Sequence, residues 1–372
     1  MSLQRPIRVC HFSSVHPWSD IRVFHKECVS LAAAGMDVTL IAVGENNDEF
    51  REHGVQVIAM KNTFRGRRNR ATKFAQSVVE RAMQLDADIY HFHDPELLRF
   101  AGSFSAKGKR IIYDVHEDLP RQIMTKQWIP LWLRRPLSSL VELWENRAAR
   151  KVSAIVAVTP IIRDRFVPTG NPVTCIFNAP MLSEFNLDIK PDYTAHRLIY
   201  IGLISRKRGI IELLQALEHI DGRLHLAGKF EDESLRNQCM QMTAWSKVDY
   251  HGVVGRAEIV RLLSESSLGM VTLHPTISYQ ESYPIKMFEY MGAGLPVLAS
   301  DFPLWESIVV QEQTGICVDP MDIHLIARIA NELLNDPQLA ATMGAKGKAY
   351  VRERFNWEAE AKKLVEFYHS LS

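Results

Sequence analysis

The chain has 372 residues, of which 47% are apolar and 23% are charged, and its formal net charge is +1. This length indicates two domains, and the composition is that of a globular enzyme. Runs of about 18 uncharged apolar residues are absent, which excludes a predicted membrane span. The sequence enters an apolar strand without a leader pattern, and its five scattered cysteines suit reduced thiols, so we expect a cytoplasmic protein.

Charge is distributed unevenly between the two halves. Residues 1–190 contain 26 Lys and Arg against 20 Asp and Glu, whereas residues 191–372 contain 18 against 23. A basic half indicates an anionic partner, with chance variation in surface charge as the alternative explanation.

The first half is predicted to alternate short apolar strands with helices. A strand at 7–13 is followed by a helix whose apolar residues recur at helical spacing from Ile21 and which Gly35 closes. Further strands are predicted at 37–43, 55–60, 89–92, 110–115 and 154–159. Such alternation predicts a parallel sheet that is covered by helices on both faces.

The second half repeats this pattern after a predicted linker, Met181–Ala195. Strands are predicted at 197–202, 224–228, 248–252, 268–273 and 296–300, with a helix at 209–219. An amphipathic helix ends the chain. We therefore predict an N-terminal domain at 1–183, a C-terminal domain at 196–355 and a terminal helix at 356–372. Ligands of parallel sheets bind beyond the carboxyl ends of the strands, so the loops after strands are the candidate sites.

The most informative segment runs from Glu281 to Val297 and contains two carboxylates eight positions apart, Glu281 and Glu289. Pro284 suits the first turn of a helix, which is predicted at 284–291 and ended by Gly292 and Gly294. Free N–H groups at the start of a helix attract phosphate, and a carboxylate on either side can accept hydrogen bonds from sugar hydroxyls. A diphosphate between two polyols is the layout of a nucleotide sugar.

This segment resembles the E-x7-E motif of the retaining glycosyltransferases of family 4. These enzymes have the GT-B fold, an α/β architecture of two facing Rossmann-like domains with a cleft between them. The resemblance extends from Arg8 to about Trp357 and implies that Glu281 contacts the donor sugar and Glu289 holds the ribose hydroxyls. It also implies that the C-terminal helix packs back on the first domain. The intervening residues are expected at the donor as well: Ser282, Tyr283, Pro284, Ile285 and Lys286.

A second region of resemblance opens the second domain. Family members often have Gly-Arg-x-x-x-x-Lys-Gly where this chain has Gly-Leu-Ile-Ser-Arg-Lys-Arg-Gly, beginning at Gly202. Arg208 keeps the charge of the family Lys, whereas Leu203 departs from the Arg, so Arg206 or Lys207 is left to supply a second cation. Two cations would offset the charge that develops on a diphosphate leaving group, and a solvated basic turn is the alternative.

Glycine loops follow two more strands of the second half, at Gly228-Lys229 and Gly252–Gly255. They are similar to family loops at the donor, of which the second lies near the nucleotide base. Glycine after a strand is also ordinary turn chemistry, so each loop alone is a weak signal.

The loop after the first strand contains His16, Asp20 and Arg22, where family members commonly have Gly-Gly. Arg22 is a candidate phosphate ligand. Asp20 either orients Arg22, acts on the acceptor or caps the following helix, for which its position is suitable.

Two further loops of the first half contain histidine beside carboxylate, at His93-Asp94 and at His116-Glu117. The resemblance implies that His116 lies near the C6 hydroxyl of the donor sugar and that His93 lines the cleft. These residue types also occur in metal sites, but their spacing matches no compact metal signature and the family generally needs no ion. We therefore expect neither a metal nor a cofactor.

The acceptor side has two notable segments, the basic run Arg65–Arg70 and the mixed segment Trp128–Arg135. Aromatic, aliphatic and basic residues together are typical of contact with a membrane surface. The alternative is a helix that buries Trp128 and Trp132. We expect no nucleic-acid partner, because the overall charge is near neutral and no binding module is recognisable.

These features predict a retaining transferase that moves a sugar from a nucleoside-diphosphate donor to a hydroxyl acceptor. His116, Glu281 and Arg208 are the predicted catalytic residues. The acceptor is expected to be lipid-linked or otherwise anionic at the inner membrane face, as in cell-surface polysaccharide or glycolipid synthesis. Two alternatives remain open: a non-catalytic subunit that binds nucleotide sugars, and a GT-B sugar-nucleotide epimerase.

Overall fold

The computed structural model describes residues 5–126, 128–184 and 189–371, with the backbone alone at positions 67 and 184. The chain divides into two compact units, Met1–Asn178 with Trp357–Ser372, and Ala179–Asn356. The boundary between the two units after Asn178 therefore lies before the predicted end of the N-terminal domain at residue 183. Residues 185–188 of the predicted linker lie outside the described residues. The later part of that linker packs on the second unit, since Tyr193 donates a hydrogen bond to the Gly294 carbonyl at 2.7 Å.

A sheet of eight strands forms the centre of the first unit in the described residues. The strands are β1 (Arg8–Pro17), β2 (Asp37–Gly44), β3 (Asp48–Glu52), β4 (Val55–Lys61), β5 (Ile89–Phe92), β6 (Arg110–Val115), β7 (Ala154–Ala157) and β8 (Val173–Cys175). Their order across the sheet is β3-β4-β2-β1-β5-β6-β7-β8.

The prediction of a purely parallel first sheet is wrong at one edge. Strand β3 pairs antiparallel with β4, from Glu52 beside Val55 onwards. The intervening His53 and Gly54 both have positive φ, 46° and 83°, which is the backbone of a tight hairpin turn. The charged sequence of β3 gives an edge strand with few apolar residues, and that pattern did not predict a strand.

The second unit has a sheet of six parallel strands in its described part. They are β9 (Arg197–Ile201), β10 (Arg223–Ala227), β11 (Val248–Gly252), β12 (Leu268–Val271), β13 (Val297–Ser300) and β14 (Gly315–Val318), in the order β11-β10-β9-β12-β13-β14. The predicted strands lie within a few residues of these bounds, while β3, β8 and β14 were not predicted.

Helices cover both sheets. The α- and π-helices of the first unit are Ile21–Cys28, Val29–Ala33, Arg67–Asn69, Arg70–Phe74, Ala75–Met83, Ala101–Ser105, Leu119–Thr125, Leu131–Ala149, Pro160–Phe166 and Trp357–Leu371. Those of the second unit are Ile210–Leu217, Glu233–Met240, Arg256–Ser264, Ile277–Gln280, Ile285–Ala293, Pro303–Val309, Ile323–Leu334 and Pro337–Arg354. Short 3₁₀ turns occur at Pro95–Phe100, Val167–Thr169, Leu182–Glu184, Arg206–Arg208 and Thr243–Lys247.

Strand order determines where each unit can bind a ligand. Among the parallel strands of each sheet, the strand order reverses direction at one place, between β1 and β5 in the first unit and between β9 and β12 in the second. Open parallel sheets bind ligands at such points, beyond the carboxyl ends of the strands. Residues that follow β1, β5 and β6, or β9, β10 and β12, are therefore positioned for function.

The C-terminal helix Trp357–Leu371 belongs to the first unit. Trp357 Nε1 donates a hydrogen bond to Ser30 Oγ at 2.9 Å, and the Glu360 carboxylate accepts one from the Phe177 backbone at 2.9 Å. The Tyr368 side chain is fully buried. None of the helices in the described part of the chain has the length and apolarity that a membrane crossing requires.

Candidate functional site

Three glycines line the carboxyl ends of neighbouring strands in the second unit. Gly202 follows β9, Gly228 follows β10 and Gly252 ends β11, and all three have positive φ, at 115°, 147° and 67°. A side-chain carbon at Gly228 would lie 1.9 Å from the Gly202 carbonyl oxygen, so no other residue fits there. Gly228 is therefore required by the close approach of the two strand ends, and the three glycines leave this edge of the sheet without side chains.

Two cations border this glycine edge. A side-chain carbon built at Gly202 would lie 3.5 Å from Nη1 of Arg208 and 3.7 Å from Nζ of Lys286. The Lys286 side chain is buried, and its ammonium has no hydrogen-bond partner among the described residues. It lies 3.5 Å from the centre of the Tyr200 ring, in a cation–π contact.

The pKa of Lys286 is shifted well below its usual value. Burial is the main cause, and the positive charge of Arg208 adds to it, while Glu289 acts in the opposite direction. A buried ammonium without an acceptor is unfavourable, and an anion bound beside Lys286 and Arg208 would relieve this. The arrangement is therefore that of an anion site.

The helix that contains Lys286 runs from Ile285 to Ala293, with Pro284 in the capping position. The predicted helix at 284–291 is thus displaced, and Gly292 lies inside it. Gly294 is the terminating residue, because its φ of 91° allows its N–H to bond to the Met291 carbonyl at 3.0 Å.

The two glutamates of the motif have different surroundings. Glu281 follows the short helix Ile277–Gln280 and is partly exposed. Glu289 lies in the second turn of the helix beginning at Ile285, and its Oε1 accepts a hydrogen bond from Arg256 Nη1 at 2.8 Å. Arg256 was not predicted from the sequence, because it lies on another helix, Arg256–Ser264.

The residues between the glutamates are held by aromatic contacts. Trp305 Nε1 donates a hydrogen bond to the Ser282 carbonyl at 2.8 Å. The Tyr283 ring stacks on the Phe355 ring, with centroids 5.8 Å apart. These contacts fix the loop that leads into the helix.

The other predicted cations of the second unit are placed less closely to Gly202 than Arg208 and Lys286. Arg206 is exposed and donates to Gln238 Oε1 at 2.6 Å, and Lys229 is also exposed. Lys207 is partly exposed, and its carbonyl accepts a hydrogen bond from the His274 backbone. Of the cations predicted from the basic turn, Arg208 is the one beside Gly202 and Lys286.

Asp114 is the centre of a buried cluster in the first unit. Arg22 Nη2 lies 3.2 Å from both of its carboxylate oxygens, and His93 Nδ1 and His116 Nε2 lie 3.3 and 3.2 Å from Oδ2. Burial alone would raise the pKa of Asp114, but Arg22, His116 and His93 lower it well below its usual value. Arg22 is only 4% exposed, so it neutralises an interior carboxylate and does not present its charge to a phosphate at the surface.

The cluster continues inward as a chain of close contacts. His93 Nε2 lies 3.0 Å from His11 Nδ1, His11 Nε2 lies 3.0 Å from the Tyr368 hydroxyl, and that hydroxyl lies 2.5 Å from His91 Nδ1. Burial lowers the pKa of His93 to about 4 and that of His11 well below its usual value. The C-terminal helix therefore contributes Tyr368 to the interior of this cluster.

Asp20 is a helix cap in this structure. Its Oδ1 accepts hydrogen bonds from the backbone N–H groups of Arg22 and Val23, both at 2.9 Å. Its Oδ2 lies 3.1 Å from His16 Nδ1. Burial would raise the pKa of Asp20, but His16 and the Val23 N–H lower it below its usual value. Asp20 thus fixes the Arg22 backbone rather than its guanidinium.

Asp94 and Glu117 differ in exposure. Asp94 is 2% exposed and its Oδ2 accepts hydrogen bonds from the Ser14 N–H at 2.5 Å and the Ser13 hydroxyl at 3.0 Å, so it shapes the loop after β1. Glu117 is exposed and accepts a hydrogen bond from Gln122 Nε2.

Glu27 also belongs to this cluster, since its Oε1 lies 3.0 Å from Arg22 Nε. Several residues of the cluster were not predicted from the sequence: His11, Glu27, His91, Asp114 and Tyr368. Each lies inside a strand or helix, where an apolar residue is the usual occupant. The polar residues at interior strand positions were the available signal.

The two α/β units, each built on a largely or wholly parallel sheet, match the GT-B class of glycosyltransferase folds. Family models support the same class along the sequence: "Glycosyl transferases group 1" matches residues 188–350 and "Glycosyltransferase Family 4" matches residues 22–179. The chain belongs to the GT-B glycosyltransferases of family 4.

Curated relatives resemble part of the chain. Glycogen synthase of Mycobacterium tuberculosis is 20% identical over 64% of this chain and 59% of its own length. Phosphatidyl-myo-inositol mannosyltransferase of Mycobacterium leprae is 25% identical over 55% of this chain and 53% of its own length. The chain thus spans little more than half the length of these relatives.

Solved structures share the fold over nearly the whole chain. Sucrose-phosphate synthase from Thermosynechococcus elongatus has a TM-score of 0.78 at 18% identity and covers 98% of this chain and 99% of its own. HepE of Anabaena, solved in complex with UDP, has a TM-score of 0.70 at 15% identity, covering 98% of this chain and 100% of its own.

Proposed function

We propose that the protein transfers a sugar from a nucleoside-diphosphate donor to a hydroxyl acceptor, with retention at the anomeric carbon. The observation that carries this proposal is the buried ammonium of Lys286, which lies beside Arg208 and the Gly202 backbone without a hydrogen-bond acceptor among the described residues. A diphosphate supplies the missing negative charge. The fold relative HepE has been solved with UDP and with UDP-glucose, which supports this class of ligand.

Four of the predicted residues have a role in this proposal. Lys286 and Arg208 bind the diphosphate and stabilise the charge that develops on it as the sugar leaves. Glu289 accepts hydrogen bonds from the ribose hydroxyls, and Glu281 positions the sugar. Retention of the anomeric configuration is proposed because Glu281–Glu289 resembles the family motif. In this mechanism the leaving phosphate helps to deprotonate the incoming hydroxyl.

We propose a lipid-linked acceptor at a membrane surface. Trp128 and Trp132 are 75% and 76% exposed, so the alternative in which a helix buries them is wrong. The helix Leu131–Ala149 also exposes Leu140 and Leu143, at 64% and 68%. Exposed aromatic and aliphatic side chains of this kind favour the interfacial region of a bilayer. A relative named as a phosphatidyl-myo-inositol mannosyltransferase supports a lipid acceptor and a role in cell-surface glycan synthesis.

The basic residues near this surface contribute unequally. Arg134 donates hydrogen bonds to the carbonyls of Ile129 and Met124, at 2.8 and 3.2 Å, so it serves mainly the local fold. Arg135 is exposed and available to anionic lipid. The side chain of Arg67, which belongs to the predicted basic run, lies outside the described residues.

The test is a panel of nucleotide sugars that differ in base and sugar, first by thermal stabilisation and then by product analysis. A donor at about 100 times its dissociation constant adds roughly 2.7 kcal/mol to stability. We expect one donor to stabilise the protein and to be consumed only when a hydroxyl acceptor is supplied, with the anomeric configuration of the product retained.

Other outcomes identify the alternatives. A new nucleotide sugar formed without acceptor indicates an epimerase. Binding without turnover, with lipid-linked and soluble acceptors supplied, indicates a non-catalytic subunit. If no nucleotide sugar stabilises the protein, the proposal is wrong.

A further inference from the structure

Arg256 connects two segments of the candidate donor site. It is the first residue of the helix Arg256–Ser264 and directly follows the glycine loop at 252–255. Its Nη1 lies 2.8 Å from Oε1 of Glu289, on the helix Ile285–Ala293. The side chains of Arg256 and Glu289 are 36% and 16% exposed, so this ion pair lies between the interior and the solvent. A ligand at the strand ends can therefore reach the carboxylate.

The backbone of Glu289 is held in place independently of Arg256. Its neighbours Phe288 and Tyr290 are fully buried, and the Tyr290 hydroxyl accepts a hydrogen bond from the Ile201 N–H at 2.8 Å. A long glutamate side chain still has several rotamers when its backbone is fixed, and ordering it costs conformational entropy. The contact with Arg256 therefore restricts the direction of the carboxylate rather than the path of the helix.

The ion pair leaves Glu289 able to bind a ligand. A carboxylate has about four lone-pair positions. The hydrogen bond from Arg256 uses one of them, on Oε1. The other positions can accept hydrogen bonds from the two neighbouring hydroxyls of a ribose, and bonds to an ionised acceptor are stronger than those between neutral groups.

Arg261 shows what an ordinary ion pair on this helix looks like. It bonds to Glu258 and Glu265, three and four positions away along the same segment, and it is 47% exposed. Pairs at this spacing support their own helix. Arg256 instead crosses to another helix and contacts the second carboxylate of the E-x7-E motif. Because partly exposed ion pairs contribute little to the stability of a fold, positioning of this carboxylate is the better explanation of the contact.

We propose that Arg256 is a positioning residue for nucleoside recognition: it directs the Glu289 carboxylate at the ribose hydroxyls, so that the site distinguishes ribose from deoxyribose. This inference rests on the proposed function and adds the residue that orders the ribose-binding group. Sites built to bind a hydroxyl discriminate strongly against an analogue that lacks it, provided that the acceptor is held in place.

The experiment measures ligand affinities of the full chain by calorimetry. The ligands are inorganic pyrophosphate and UDP, GDP and ADP, each with its 2′-deoxy form. The wild type should prefer the ribose form of its best nucleotide by about tenfold. Arg256→Met should weaken that ribonucleotide roughly three- to tenfold, because a released Glu289 must be ordered as the ribose binds. The deoxy form should lose less, and pyrophosphate should bind as tightly as to the wild type.

Arg261→Met is the matched control, because it removes the same charge from the same helix. All affinities of this variant should equal those of the wild type. A double variant then tests the dependence on Glu289. If Arg256 acts through that carboxylate, Arg256→Met combined with Glu289→Ala should bind as Glu289→Ala alone does. A further loss in the double variant would show that Arg256 contacts the nucleotide itself, and the positioning role would be wrong.

The remaining outcomes separate this inference from the proposed function. If the wild type binds neither pyrophosphate nor any of the nucleotides, the donor site is wrong and the role of Arg256 falls with it. If nucleotides bind but the preference for ribose is the same in Arg256→Met as in the wild type, only the role of Arg256 is wrong. An equal loss for pyrophosphate and the ribonucleotide, or the same loss in Arg261→Met, would likewise overturn it, because a general effect of charge or fold would then explain the result.

Discussion

Lys286 lies against Tyr200 with its ammonium nitrogen 3.5 Å from the centre of the ring. A desolvated cation–π contact contributes about 2 kcal/mol, whereas removing an ammonium from water costs several kcal/mol. The aromatic ring thus offsets part of the cost of burial, and an anion can supply the rest. This relationship makes Lys286 the most direct test of the donor site.

Replacing Lys286 with Met should weaken the binding of both UDP and inorganic pyrophosphate more than tenfold. A charge-assisted hydrogen bond contributes about 1.5–3 kcal/mol, and Met retains the apolar part of the side chain. Isothermal titration calorimetry measures both affinities. Lys346→Met, at an exposed position of the same unit, is the control and should bind as the wild type. Unchanged pyrophosphate affinity in Lys286→Met would place the diphosphate elsewhere.

Nucleotide binding should be linked to proton uptake at Lys286. Burial and Arg208 hold the pKa of Lys286 well below its usual value, with Glu289 and Tyr200 as its other charged or titratable neighbours. A bound diphosphate favours the ammonium and raises that pKa again. Affinity should therefore fall as pH rises through the interval between the two values, above about pH 7, where the phosphate is fully ionised.

Calorimetry in buffers of different ionisation enthalpy measures the protons taken up in that interval. Lys286→Arg remains charged at every pH used and should abolish the dependence. The same pH profile in the wild type and this variant would exclude Lys286 as its source.

Glu289→Ala should separate ribose binding from phosphate binding. The variant should lose more than tenfold in UDP affinity, because charge-assisted hydrogen bonds to the ribose are removed. Pyrophosphate, which has no ribose, should bind as tightly as to the wild type. Titration of the two ligands decides the matter, and an equal loss for both would argue that Glu289 acts through the local fold or its contact with Arg256.

Arg208→Ala should lower kcat as well as donor affinity, since charge on the leaving diphosphate increases toward the transition state. Arg206→Ala is the comparison, because Arg206 is exposed and bonded to Gln238, and it should change kcat little. Steady-state kinetics at saturating donor distinguish them. Normal turnover in Arg208→Ala, with impaired turnover in Arg206→Ala, would reverse the assignment.

Replacing Trp128 and Trp132 together with Ala should weaken binding to anionic lipid vesicles severalfold while leaving UDP affinity intact. Both side chains are largely exposed, so the change should not destabilise the core. Vesicle cosedimentation at low and high salt measures the effect, with release at high salt expected from screening. The control is Met321→Ala, which removes an exposed apolar side chain of the second unit. If the wild type does not bind anionic vesicles at any salt concentration, that result would instead favour a soluble acceptor.

The sequence predicted local features better than features that depend on how strands pair. The segment from Glu281 to Glu289 could be recognised because its loop and helix are contiguous. The cluster of His93, Asp114 and His116 depends instead on the parallel pairing of β5 with β6, which places Phe92 beside Tyr113. Neither strand alone indicates this register, so the sequence did not show that these three side chains lie together.

Burial explains the other differences between the sequence and the structure. Arg22 was predicted at a phosphate because its loop follows a strand, but Asp114, on a distant strand, draws its guanidinium into the interior. The aromatic segment at Trp128 allowed both a buried and an exposed helix, because its composition suits either. Only the packing of the helix Leu131–Ala149 distinguishes them.

The position of Tyr368 has a consequence for how the protein is made. A ribosome synthesises Ala179–Asn356 completely before it reaches the residues that finish the first unit. During that interval the pocket of His11 and His91 lacks the hydroxyl that contacts both rings in the finished protein. Domains generally fold as units while the chain is synthesised, the N-terminal one first. Here the second unit is fully synthesised before the first unit, because Trp357–Ser372 of the first unit follow it in the sequence. The first unit therefore remains incomplete until the helix Trp357–Leu371 has left the ribosomal exit tunnel.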